Sequence, residues 1–461
     1  MEMPQFDQGS FRDFEGSVFS YKGEVYRTLT IEAAERMKTL LSSSFFAQSV
    51  ALGKLVQTKL IESSAVFPKG FPVTTEVLWH EKIDQITYPF EWTFSMLKDA
   101  ALLTLDLMQT LIEHNFILKD GTAWNVCFYK GNPCFYDILS IDTYQEGQPW
   151  EGFSQFLQEF LYPLMFQAYH AIDFQPLWRS TQQGIEVKLL YKTLSKTSLF
   201  KKGVFKYVYL HQKLSESKTI SKSNINKEFS SPHFPKKALL SLLNDLRTCV
   251  ESLNIKEDHS VWKDYASQNS YEISDIEQKE TFIRDGLKKL NPLSVIDLGC
   301  NTGQYSLIAS EVAQVISCDL DPICVDRLYR QKNKRILPVI LNLMTPSPAM
   351  GWRLSERKDF FSRIKADSFL ALALIHHICI SQNVPLNSFV KFLKSIASQG
   401  ILEWVDKTDP MVQFLLRNRK DIFQNYSWES FHENITQSFN IERSIPLNNG
   451  KRKLLLLTRK K

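Results

Sequence analysis

The chain reads as an α/β protein of two domains, with an α+β first half and a last third built as a doubly wound, mostly parallel, Rossmann-like sheet. Three observations predict this. At 461 residues the chain is longer than one ordinary core, for which about 100 to 200 residues suffice. From Ser294 onward short apolar runs alternate with helical stretches: SVIDLG, QYSLIASEVA, VISCD, DPICVDRLYRQ, LPVILNL, SFLALALI, LNSFVKFLKSIA, GILEWV and KLLLLT. Strands too apolar to face water on either side belong to a parallel sheet covered by helices. Between the halves, residues 201–237 hold nine Lys against two Glu and a Ser/Asn/Pro cluster, which reads as a solvated connector. The expected layout is a domain over 1–200, a basic linker or excursion over 201–237, and a second domain over 238–461 that opens with a helix near Lys237 to Leu253.

Composition narrows the function classes. A hydrophobic share of 44% and a charged share of 23% are those of a globular protein. The net charge of +5 arises from 55 basic residues interleaved with 50 acids, so nucleic acid is disfavoured as a partner. Seven cysteines (127, 134, 249, 300, 318, 324 and 379) include no C-x-x-C pair. They read as reduced thiols of a cytoplasmic protein, with no metal site. The start, MEMPQFDQGSFRDFEG, is acidic and polar, and no run of about 18 apolar residues follows, so neither a signal peptide nor a membrane span is expected.

The stretch SVIDLGCNTGQYSL (294–307) carries the strongest chemical signal. Asp297 ends an apolar strand, Gly299 and Gly303 let the backbone turn tightly, and Gln304 opens a helix. In a doubly wound sheet ligands sit at the carboxyl ends of the strands, where this loop falls. The spacing departs from the dinucleotide fingerprint G-x-G-x-x-G, which makes NAD a poor fit. A second strand, VISCD, ends in Asp319, sixteen residues after Gly303, where a carboxylate can accept both hydroxyls of a ribose.

Together these features resemble the first two motifs of class I S-adenosylmethionine (SAM) methyltransferases over about residues 290 to 458. The resemblance implies that Asp297, Gly299, Cys300, Asn301 and Gly303 line the methionine part of the cofactor. It also implies that Asp319 with Leu320 holds the ribose, and that Asn342 with Leu343 meets the adenine. Asn301 stands where the family usually has glycine, and Asn342 where many members carry Asp; an amide oxygen can still accept that bond, without the charge.

Candidates for the acceptor side follow the fourth and fifth strands. His376 and His377, in ALALIHHICI, include a possible base at neutral pH, with a packed histidine as the plain alternative. Glu403, in ILEWVDKTDP, can orient an acceptor hydroxyl or amine or simply be solvated. Trp262, Tyr265 and Tyr271 either cover the sheet edge or close over the cofactor, and the loop 344–352 hangs off the third strand where it can shape the pocket.

In the first half, Asp120, Asn125 and Asp137 follow an amphipathic helix in a D-x4-N…D pattern. This is similar to the catalytic loop and metal-binding Asp of protein-kinase-like enzymes, which implies base and magnesium-ligand roles. HRD, a glycine-rich loop, a V-A-I-K lysine and DFG are missing, so a degenerate kinase-like domain without phosphotransfer is expected. Phe153, Phe156, Leu157 and Phe160 fall at helical spacing and read as a core stripe. The stretches YPFEW, LKDGTAWN, QPWEGFSQF, NTGQYS, LIHHICISQNVPL and DPMVQFLL resemble a bacterial family of two-part SAM methyltransferases related to NoeA-like nodulation proteins.

The expectation is a methyltransferase that moves the methyl of SAM to a hydroxyl or amine of a small-molecule or saccharide acceptor. Its rivals are methylation of a protein docked on the first half, a phosphotransferase using Asp120, Asn125 and Asp137, and a SAM-sensing scaffold without turnover.

Overall fold

The structure, a computed structural model, describes residues 3–67, 76–220, 234–255 and 273–460. Two compact units emerge, one of Met1–Lys256 with Ala349–Lys358 and the other of Glu257–Pro348 with Asp359–Lys461.

The first unit is α+β. Strands β1 (Gln5–Phe6), β2 (Val18–Tyr21), β3 (Glu24–Thr28), β4 (Thr58–Glu62) and β5 (Glu76–His80) form one antiparallel sheet in the order β1-β2-β3-β5-β4. Phe19, Tyr21, Tyr26, Phe67 and Val77 pack into one apolar cluster on it. The helix Phe94–Glu113 buries Leu97, Ala101, Leu105, Met108 and Ile112 among others, and a helix apolar on most of its surface lies inside the core. After it come two antiparallel pairs, β6 (Phe116–Leu118) with β9 (Ile141–Thr143) and, between them in the chain, the hairpin β7 (Val126–Tyr129) with β8 (Asn132–Phe135). Of the expected aromatic stripe, Phe156, Leu157 and Phe160 are fully buried, while Phe153 at its start is half-buried.

The division of the chain differs from the expected one. Residues 201–220 include helical turns Val204–Leu210 and His211–Ile220 in place of an open linker. The helix Lys236–Ser252 buries Leu239, Leu243, Leu246, Cys249 and Val250, and Lys98 Nζ donates to the carbonyls of Glu251 and Leu253 at 2.9 and 2.7 Å. Its apolar stripe therefore completes the first unit instead of opening the second. Residues 349–358, between two strands of the second unit, also fold with the first: Arg12 pairs with Glu356 at 2.7 Å, and Arg357 lies 4.8 Å from the Trp124 ring centre. Trp262, Tyr265 and Tyr271 lie outside the described residues.

The second unit is the expected doubly wound sheet. Strands β10 (Ser294–Leu298), β11 (Gln314–Asp319), β12 (Ile336–Ile340), β13 (Ser368–Ala371), β14 (Gln399–Val405), β15 (Phe439–Leu447) and β16 (Arg452–Arg459) order as β12-β11-β10-β13-β14-β16-β15. The first five are parallel, and β16 and β15 add an antiparallel edge. Side chains alternate between faces along each strand. Ile296, Leu298, Ile316 and Cys318 join one buried cluster, while Val295, Val315 and Leu370 join another. Both faces are covered, which is why these strands lack polar alternation. Strand order reverses between β10 and β13, and that reversal opens a crevice at the carboxyl ends.

Candidate cofactor cleft

The crevice holds a cavity of about 380 Å³, a size suited to a small-molecule ligand. Eight of the nine residues expected at the cofactor line it: Asp297, Gly299, Cys300, Asn301, Asp319, Leu320, Asn342 and Leu343. Gly303 lies behind the wall, at the N-terminus of helix Gln304–Ser310, with φ at +89°. A Cβ there would come within 2.4 Å of Leu328 Cδ1, so glycine is required by both backbone and space. Asn301 explains its own departure from the family pattern. It takes φ of +51°, a left-handed conformation that asparagine tolerates, and its Oδ1 accepts the Thr302 N–H at 2.7 Å.

The two strand-end carboxylates are held by neutral donors. Asp319 accepts the N–H groups of Asn301 at 2.8 Å and Asp321 at 2.9 Å, which tie the loop after β10 to the end of β11. Burial raises its pKa, and these backbone bonds oppose that rise. Asp297 is buried and accepts from Ser306 Oγ at 2.6 Å, and Ser317 Oγ donates to Ser306 at 2.8 Å. Burial pushes its pKa up to about 7, with Asp319 adding to the rise and Ser306 and Lys279 opposing it. Asn342 lines the cavity, and its Oδ1 already accepts the Met344 N–H at 2.9 Å, which leaves that oxygen one further lone pair.

Acceptor-side residues separate. His377 lines the cavity beside Ile378, Ser381 and Gln382. Burial, with Arg452 nearby, lowers its pKa to about 4, so the imidazole is neutral at pH 7. His376 does not line the cavity; it is fully buried, its ring 4.1 Å from that of His377, and neither ring nitrogen has a hydrogen-bond partner among the described residues. Glu403 also lies off the cavity, against expectation. Its Oε2 receives Lys279 Nζ at 2.7 Å and the Ala373 N–H at 3.0 Å, and its Oε1 receives Arg452 Nη1 at 3.3 Å. Arg452 Nε continues to Asp409 at 2.7 Å. Buried charges persist only when paired, so this chain of four is structural, and Glu403 fixes the cavity loop 372–374 through Ala373.

Sequence reading missed Lys279. It projects from helix Ile273–Leu290 to the cavity wall, buried, with Nζ 4.6 Å from the Tyr305 ring centre. A lone lysine on an amphipathic helix gives no local signal; its partner is 124 residues away. Of the loop 344–352, Met344 lines the cavity, whereas 349–352 belongs to the first unit.

The residues in the first unit that suggested phosphotransfer are differently occupied. Asp137 is ion-paired at 2.5 Å to Arg27, which also holds Asp13. Asp120 accepts from Ser140 Oγ at 3.3 Å, and Asn125 is buried with its amide nitrogen unpartnered. Glu159 braces the intervening loop through Thr122 Oγ1 at 2.6 Å and the Ala123 N–H at 2.9 Å. Among the described residues no group of three His, Cys, Asp or Glu is placed to hold a metal ion.

The parallel sheet, its reversal point and the paired strand-end carboxylates define a Rossmann-like domain of the class I SAM-dependent methyltransferase type. No protein-family model matches the chain. The chain belongs to the family of the nodulation protein NoeA: it is 34% identical to NoeA of Rhizobium meliloti (strain 1021) over 459 residues, 98% of this chain and 95% of that protein. Among solved structures, the N-methyltransferase NodS from Bradyrhizobium japonicum WM9 aligns with 41% of this chain and 99% of its own at 8% identity and a TM-score of 0.31. Magnesium protoporphyrin IX methyltransferase (ChlM) from Synechocystis PCC 6803 with bound S-adenosylhomocysteine aligns with 41% and 84% at 16% identity and 0.30. The fold assignment rests on the strand order itself.

Proposed function

We propose that the second unit binds SAM in this cleft and transfers its methyl group to a hydroxyl or amine of a small-molecule or saccharide acceptor. The observation that carries the reading is the pair Asp297 and Asp319, at the ends of adjacent strands, facing one cavity while their protein partners are neutral. In their ionised form such carboxylates can accept from a ligand's ammonium and ribose hydroxyls, because their hydrogen-bond donors do not neutralise them. Gly299, Cys300 and Asn301 supply backbone beside the methionine part, and Asn342 and Leu343 bound the adenine end.

Bound SAM supplies an activated methyl on a sulfonium, so the protein's work is alignment and exclusion of water. His377 lines the cavity as a neutral imidazole, the protonation state in which a histidine can accept the acceptor's proton. Glu403 is a positioning residue acting through Ala373. The first unit is read as a kinase-like accessory domain for acceptor recognition; phosphotransfer would require Asp137 for magnesium, and Arg27 holds it.

Calorimetric titration with S-adenosylhomocysteine tests the cofactor half. Binding to the wild type that is lost in Asp319→Ala supports it; no binding to the wild type refutes it. For the acceptor half, His377→Gln is expected to slow methyl transfer from labelled SAM to saccharide extracts by about 10²-fold or more while cofactor affinity holds. Unchanged transfer would remove His377 from the mechanism.

A further inference from the structure

Residues 187–214 of the first unit, VKLLYKTLSKTSLFKKGVFKYVYLHQKL, contain seven lysines and no acid. They fold as helical turns Val187–Thr193, Lys196–Phe200 and Val204–Leu210, the last running into His211–Ile220. The inward face is conventional: Val187, Leu190, Val204, Tyr207 and Val208 are buried.

The outward face is not. All seven lysines (188, 192, 196, 201, 202, 206 and 213) are exposed. Between them stand Phe200 at 94% exposure, Leu214 at 62% and Phe205 at 52%. Phe205 stacks on Tyr209, Tyr209 meets Tyr191, and Lys213 lies over Tyr191, so these four side chains form one continuous aromatic and basic strip. Asp245 pairs with Lys206 and Glu216 with Lys213. The other five lysines have no carboxylate within ion-pairing distance among the described residues.

A bare phenylalanine ring costs free energy in water, and lysines without an ion-pair partner leave their positive charge on the surface. Both features are satisfied together at an anionic bilayer surface, where lysines meet phosphate headgroups and aromatic and leucine side chains enter the acyl boundary. Among the described residues no helix is long and apolar enough to cross a membrane. We infer that this face docks the protein on anionic phospholipid membranes. The inference is independent of the chemistry in the cleft.

The test is sedimentation of the full chain with vesicles of phosphatidylcholine alone and of phosphatidylcholine with about one-third phosphatidylserine. Binding is expected to the anionic vesicles and to fall as salt rises. Lys201→Glu with Lys202→Glu is expected to weaken it by about 25-fold or more, at roughly fivefold per lysine. Phe200→Ser with Phe205→Ser is expected to weaken it by about tenfold. All four residues are exposed, so both double variants should melt like the wild type, which separates lost docking from lost folding. Failure to bind anionic vesicles, or binding unchanged in both variants, overturns the inference. So does retention of RNA in a gel shift without vesicle binding, which would reassign the face to nucleic acid.

Discussion

The two units use the same residue type in opposite ways. In the cleft of the second, Asp297 and Asp319 are held by a hydroxyl and by backbone N–H groups. In the first, Asp137 and Asp13 share the guanidinium of Arg27. Neutral donors orient a carboxylate and leave its charge available to a ligand, whereas an arginine neutralises it in place. A pattern of acids at the right spacing therefore says where a site would be, and the partners of those acids say whether it is open.

Removing the charge partners should break this contrast most forcefully. Glu403→Ala removes the carboxylate that Lys279 and Arg452 share in the core, leaving Arg452 on Asp409, and Arg27→Ala removes the cation that Asp137 and Asp13 share in a more exposed setting. Urea unfolding should show a loss of about 3 to 5 kcal/mol for Glu403→Ala and less for Arg27→Ala. If Arg27→Ala instead creates magnesium-dependent ATP binding, the first unit is a latent nucleotide site and the contrast is one of regulation.

Next in size is Asp319→Ala. Hydrogen bonds to a charged group contribute about 1.5 to 3 kcal/mol, so S-adenosylhomocysteine should bind roughly 10- to 150-fold more weakly. Gly303→Ala forces a Cβ against Leu328 at φ of +89°, and a loss of about 2 kcal/mol in thermal unfolding is expected.

The pH dependence sharpens the comparison further. Asp297 has a folded-state pKa of about 7, above its usual 3.8. The native state therefore holds a proton that the unfolded state has released between roughly pH 4 and 7, and this group's contribution to stability declines as pH rises through that window. Asp297→Asn should flatten that part of the stability profile. Affinity for S-adenosylhomocysteine should weaken as pH falls from about 8 to 6, because the neutral acid no longer attracts the ligand's ammonium. The smallest effect is expected for Ser306→Ala, about 1 kcal/mol in stability, with the pH midpoint of ligand binding moved upward.

Much of the second unit was legible because its signals are local. Strand, loop, helix and next strand fall within Ser294 to Asp319, and side-chain alternation over that span fixes which acids end at the crevice. Glu403 misled for the opposite reason. It lies near the carboxyl end of β14, two residues before Val405, but Lys279 and Arg452 reach it across 124 and 49 residues. The basic segment after Lys201 misled similarly, since its lysines suggested a linker while Val204, Tyr207 and Val208 anchor a helical face.

By itself the sequence determined the parallel sheet, the loop that opens the cleft and the carboxylates at its rim, since each follows from periodicity and backbone freedom over a few residues. Only the tertiary structure decided which charges are neutralised. That choice settled Glu403 into the core, closed Asp137 with Arg27, left His377 rather than His376 on the cavity wall, and set residues 349–358 in the first unit. A buried charge takes its partner from whatever the fold brings within a few ångströms, and separation along the chain does not encode that distance.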